Sequence, residues 1–108
     1  MSRAEEMPKW VVGDVLNICR GYDMRASYMA KHNNKDNKTF RVYANYNRAI
    51  DQAIEQVCEG AHEAAVMRLC LIDDMTWERI TACSVPRRRF YDMRKQVVER
   101  IARKLRLY

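Results

Sequence analysis

Hydrophobic positions recur along this chain at three- and four-residue steps, the spacing that places side chains on one face of a helix. The first stripe is Val11, Val15, Ile18, Tyr22 and Met29, widened by Trp10, Cys19 and Ala26. It predicts an amphipathic helix beginning near Pro8, a residue suited to a helix's first turn. Gly13 and Gly21 each weaken that helix by roughly 1 kcal/mol relative to Ala, which makes Gly21 a place for a break. From Lys31 to Lys38 the chain reads K-H-N-N-K-D-N-K, with no apolar residue and three turn-favouring asparagines. This is the clearest linker.

A second long helix is predicted to start between Thr39 and Tyr46. Tyr46, Ile50, Ala53, Ile54, Val57 and Ala61 share a stripe, with Asp51, Gln52, Glu55 and Gln56 on the other faces. Gly60 either ends this helix or softens it. A densely apolar segment from Ala64 to Ile72 follows and is closed by Asp73-Asp74. Thr76 is a good N-cap for a short helix through Glu78-Arg79-Ile80, and Ala82-Cys83-Ser84 breaks it. Pro86 then sits at the start of a helix with no internal Gly or Pro, which runs to about Leu105. The expected class is all-α. The expected organisation is an N-terminal amphipathic helical segment over 1–31, a polar linker over 32–40 and a helical domain over 41–108.

From about Glu63 to Leu105 the elements follow the order of a helix-turn-helix, whose last helix enters the DNA major groove. Helical geometry at 100° per residue tests whether the last helix is built for that task. With Phe90 at zero, Val97 and Ile101 lie within about 20°, Met93 and Leu105 about 60° to either side, and Val98 about 80° away. Arg88, Asp92 and Lys95 fall within about 40° of the opposite direction, flanked by Tyr91 and Arg89, with Arg87 in the first turn. One face suits a core and the other an anion.

Composition sharpens this picture. At 108 residues, 48% hydrophobic and 31% charged, the chain has the size and balance of one ordinary folded domain. Only 3 Gly and 2 Pro are present, too few for a many-stranded β fold. No apolar run approaches the roughly 20 residues of a membrane span, and no signal-peptide pattern opens the sequence, so a cytosolic protein without a membrane partner is expected. The net charge is +6, and its placement matters more than its size. From Ser84 onward there are nine basic residues against Asp92 and Glu99, while the rest of the chain is close to neutral. A localised positive field implies an anionic partner.

Cations near a helix C-terminus offset its dipole, which accounts for Arg100, Arg103, Lys104 and Arg106. Arg87, Arg88 and Arg89 stand at the opposite end, where each is unfavourable by a few tenths of a kcal/mol. Another molecule is then expected to supply negative charge. Arginine suits guanine O6/N7 or a phosphate, and Lys95 suits a phosphate. Tyr91 offers a hydroxyl to a phosphate and a ring edge to a thymine methyl. Asp92 fits as an acceptor from cytosine N4, or as the group that positions Arg88 one turn away. The expected DNA-binding set is Arg87, Arg88, Arg89, Tyr91, Asp92, Arg94 and Lys95.

Other candidates have plainer readings. Trp77 reads as a turn-packing aromatic, and Tyr22, Tyr28, Tyr43 and Tyr46 as packing between helices or at a subunit contact. Cys19, Cys58, Cys70 and Cys83 lack zinc-ligand spacing beyond the Cys58–His62 pair, and read as small reduced core residues. No Gly-rich phosphate loop, nucleophile elbow or H-E-x-x-H motif occurs, so neither an enzyme nor a bound cofactor or metal is expected.

Three segments carry a family resemblance: Met75-Thr76-Trp77-Glu78-Arg79-Ile80, Ser84-Val85-Pro86-Arg87-Arg88-Arg89-Phe90-Tyr91, and Arg94-Lys95-Gln96-Val97-Val98-Glu99-Arg100-Ile101-Ala102. Together they resemble the ends of phage late-gene transcription activators of the ArpU and RinA type, which in turn resemble the DNA-binding C-terminal region of bacterial sigma factors. The resemblance covers the last third well, the helix from Tyr46 in pattern only, and the first forty residues weakly. It implies a sigma-like helix-turn-helix that binds promoter DNA and recruits or modulates RNA polymerase. Arg87, Arg88, Tyr91, Asp92 and Lys95 would take the DNA-facing places. Pro86 departs from the usual Ser or Thr of the turn, and Asp92 stands where a basic residue is common. Two other readings stand beside a sequence-specific transcriptional regulator of double-stranded DNA. One is a DNA-packaging module like a small terminase subunit, which would form a higher homo-oligomer. The other is a helical interaction protein without nucleic acid.

Overall fold

The computed structural model describes residues 7–33, 36–80 and 84–108. It is all-helical, with α1 over Lys9–Arg20, α2 over Tyr22–Lys31, α3 over Lys38–Val57, α4 over Ala61–Leu71 and α5 over Arg87–Lys104. Between α4 and α5 the described chain holds a single 3₁₀ turn, Trp77–Arg79. The short helix expected after Thr76 is therefore one tight turn. The break expected at Ala82-Cys83-Ser84 falls, but for Ser84, outside the described residues, as does the cysteine Cys83.

The predicted N-terminal stripe divides at Gly21. Val11, Val15 and Cys19 of α1 are buried, whereas Tyr22 and Met29 of α2 are half-buried. Trp10, expected to widen the stripe, is 64% exposed. It precedes Val11, and a 100° step carries it away from the Val11–Val15–Cys19 seam. Ala26 is exposed as well. Pro8 is the residue before the first turn rather than within it.

At Gly21 any side chain would crowd the end of Arg25. A Cβ there would stand 2.7 Å from Arg25 Nη1. The buried Arg25 side chain turns back under this corner, donating from Nη2 to the Ile18 carbonyl at the end of α1 and from Nε to Asn47 Oδ1 at 2.8 Å. Asn47 in turn donates to the Tyr22 carbonyl at 3.2 Å, and the Tyr46 ring lies 5.5 Å beneath the guanidinium. Burial lowers the Arg25 pKa, while neutral acceptors satisfy its donors. Further along the α2–α3 hairpin, Tyr28 meets Tyr43 edge-on and Tyr22 donates to Asp51 at 2.8 Å. Asn37 caps α3, accepting from the backbone N–H of Thr39 at 2.8 Å and of Phe40 at 3.3 Å.

Gly60 separates α3 from α4 at φ 110°, a backbone conformation that side chains beyond glycine rarely adopt. The apolar faces of α1, α3 and α4 converge on α5, which buries Phe90, Met93, Val97, Val98, Ile101 and Ala102. Of the positions expected on the buried face, all but Leu105 are buried; Leu105 is the half-buried residue that ends the helix, and Ala102 joins the seam. Lys104 reaches Gln52, and Arg100 reaches Gln56, so α5 runs antiparallel to α3. Burial pushes the Cys19 thiol up to about 12 and that of Cys58 to about 11, as befits packing groups.

Both α4 and α5 end in a left-handed residue other than glycine. Asp74 (φ 58°) lets the Met75 N–H reach back to the Leu69 carbonyl at 3.1 Å, and Arg106 (φ 59°) lets Leu107 reach Ala102 at 2.8 Å. Arg106→Gly removes a left-handed penalty of about 1–2 kcal/mol and adds about 0.5–1 kcal/mol of unfolded-state entropy. It is expected to stabilise the protein by roughly 0.5 kcal/mol; a lower urea midpoint would refute this. Asn47→Ala strips an acceptor from the buried guanidinium and a donor from the Tyr22 carbonyl. It is expected to cost about 3 kcal/mol in the same titration, and a loss below about 1 kcal/mol would contradict the role given to this network.

Candidate nucleic-acid interface

The residues proposed from the sequence start α5 and continue along its outer side. Pro86 precedes the helix, and no side chain caps the first turn. The first turn thus carries three arginines where the helix dipole already presents partial positive charge.

The structure separates the three. Arg89 turns inward, and its Nη2 and Nε donate to the two Glu63 carboxylate oxygens at 3.0 and 3.3 Å. This two-point pair staples the start of α5 to the first turn of α4. Glu63 also accepts from the Glu59 backbone N–H at 2.8 Å. The Arg89 hydrogen bond first, and the Glu59 N–H second, hold the Glu63 carboxyl below its usual range. Arg87 lies 3.5 Å from Glu78 and 5.7 Å from the ring centres of both Trp77 and Tyr91. It ties the 3₁₀ turn to α5. Trp77 donates from Nε1 to the Val85 carbonyl at 3.0 Å and packs against the core, which makes it a turn-packing aromatic. Arg88 is exposed, and among the described residues no acid meets it.

Arg88, Arg89, Tyr91, Asp92 and Lys95 line one shallow open groove beside Pro86. Tyr91 is 40% exposed. Asp92 does not hold Arg88 as the i, i+4 spacing had implied; it accepts from Gln96 Nε2 at 3.0 Å instead. Arg94 is half-buried and faces the gap between α1 and α4, away from this groove. The groove therefore brings together five of the seven expected residues, with one of the five already ion-paired. The outer face of α5 alternates in sign along Arg88, Asp92, Lys95, Glu99 and Arg103, so its free positive charge is modest at any one point.

Glu63 is the participant that sequence reasoning missed. It stands 26 residues before Arg89, and no local spacing announces the pair. His62, weighed with Cys58 as a metal pair, makes a 3.0 Å hydrogen bond with Ser84. No described helix is long and apolar enough to cross a membrane. Comparison with protein-family models, curated proteins and solved structures finds no match.

The Arg89–Glu63 staple gives a signed pH dependence. A carboxyl with a depressed folded pKa contributes stability that is full above its unfolded value of about 4.3 and is lost as the pH falls through that range toward the folded value. Glu63→Gln should reduce stability at neutral pH and flatten the stability profile between about pH 5 and pH 3. An unchanged slope in denaturant titrations across that window would show that the pair contributes nothing.

Proposed function

We propose that this protein binds double-stranded DNA through the first half of α5 and acts as a sequence-specific transcriptional regulator of the phage late-gene type. The observation that carries the reading is the open groove at the uncapped start of α5, where Arg88, Tyr91 and Lys95 project away from a buried Phe90–Val97–Ile101 seam. An anion laid there would meet unpaired backbone N–H groups, the positive end of the helix dipole and an unneutralised guanidinium together. In this reading Arg88 takes a guanine edge or a phosphate, Lys95 a phosphate and Tyr91 a phosphate or a thymine methyl. Asp92, steadied by Gln96, accepts from a cytosine amine or repels the wrong base. Arg87 and Arg89 hold the turn and the helix start in place, and Arg94 makes no DNA contact. The reading involves no catalytic step. RNA polymerase is the second partner it calls for.

Selection of bound fragments from random duplex DNA, followed by anisotropy titrations over a range of salt, tests this. Arg88→Ala should cost about 1–3 kcal/mol of affinity and relax preference at one position. Lys95→Ala should weaken all sequences alike and reduce the salt slope by about 1. An Arg88→Ala/Lys95→Ala variant that binds as the parent does, or a selection that enriches nothing, would sink the reading.

A further inference from the structure

A second concavity lies on the other side of Tyr91, between the ends of α1 and α4 and the early turns of α5. It is a cleft of about 200 Å³. Its apolar wall is offered by the half-buried Leu16 and Met75, and its polar side holds Arg20, Arg94 and Thr76. Arg20 donates to Asp74 at 3.0 Å and to Asn17 at 3.3 Å. Arg94 has no such arrangement. It is half-buried, it lies against the Cys70 thiol, and no carboxylate meets it among the described residues. Among the described residues the cleft thus holds two guanidinium groups and one carboxylate, leaving the half-buried Arg94 charge beside the apolar wall. A partly desolvated cation without a counter-charge is costly, and a planar guanidinium offers paired donors that match a carboxylate.

We infer that this cleft binds a small organic monocarboxylate, its carboxylate on Arg94 and its short apolar body against the half-buried Leu16 and Met75. The apolar wall decides between anions. A free phosphate gains nothing from that wall and would give up hydration to enter. An acid with a compact hydrocarbon body gains on both counts. The assignment stands independently of the DNA reading, since Arg94 faces away from the groove proposed for the duplex.

The test is a titration of the isotope-labelled full chain with sodium benzoate, followed by NMR at constant ionic strength. Inorganic phosphate and benzyl alcohol are the comparison probes. Benzoate is expected to shift the Arg94 Nε–H and the Thr76 and Tyr91 amide signals saturably. Benzyl alcohol should bind at least about tenfold more weakly, and phosphate should not saturate these signals. Arg94→Gln should lower benzoate affinity by at least about tenfold while its thermal unfolding stays cooperative. Benzyl alcohol binding as tightly as benzoate would mean an apolar hole only. Phosphate binding more tightly would mean a site for a different anion. Unchanged affinity in Arg94→Gln, or no saturation by benzoate in the tens of millimolar, would likewise overturn the proposal. If Arg94→Gln fails to fold, the three-probe comparison on the unaltered protein still decides it.

Discussion

The apolar seam of α5 is the constraint from which the remaining geometry follows. Phe90, Met93, Val97 and Ile101 are buried nearly completely, and the residues that bury them come from α1, α3 and α4. Each large side chain so enclosed contributes about 1.5–3 kcal/mol relative to exposure. Rotating α5 by even one residue would bring charged groups into this seam. Once the seam is seated, the directions of Arg88, Tyr91 and Lys95 are no longer free, because they share the rigid backbone that Phe90 and Val97 anchor. The outward groove is a by-product of core packing.

The charged start of α5 shows how a fold can tolerate an adverse arrangement. Three adjacent guanidinium groups repel one another and oppose the dipole. Two of them have acids brought to them, Glu63 from the first turn of α4 and Glu78 from the 3₁₀ turn. Of the three, Arg88 alone meets no acid among the described residues. The local conflict is therefore partly resolved within the chain, and what remains for an outside anion is concentrated on fewer groups than a count of arginines implies.

The helices were legible because their signal is periodic and local. The 3.6-residue repeat located α3 and α5, and the burial on α5 follows from angles alone. What escaped was set by distance along the chain or by crowding in space. Glu63 meets Arg89 across 26 residues, and Asp92 prefers Gln96 to Arg88 although both lie one turn away. Arg94 lies about 40° from Phe90 at 100° per residue, on the inward side of α5, where it faces α1 and α4 although its charge groups it with its basic neighbours. Trp10 is hydrophobic in sequence, but its direction on α1 turns it to solvent. Gly21 reads in sequence as a helix weakener; in space it is room left for a guanidinium.

The two joints of the molecule answer differently to acid. The corner between α1, α2 and α3 is held by Arg25, whose partners are carbonyl and amide groups with no proton to gain in the acid range. The junction of α4 with α5 is held by a carboxylate that does gain one. Acidification should therefore release the Arg89–Glu63 staple while the Arg25 network keeps its partners, with α5 still seated by its buried seam.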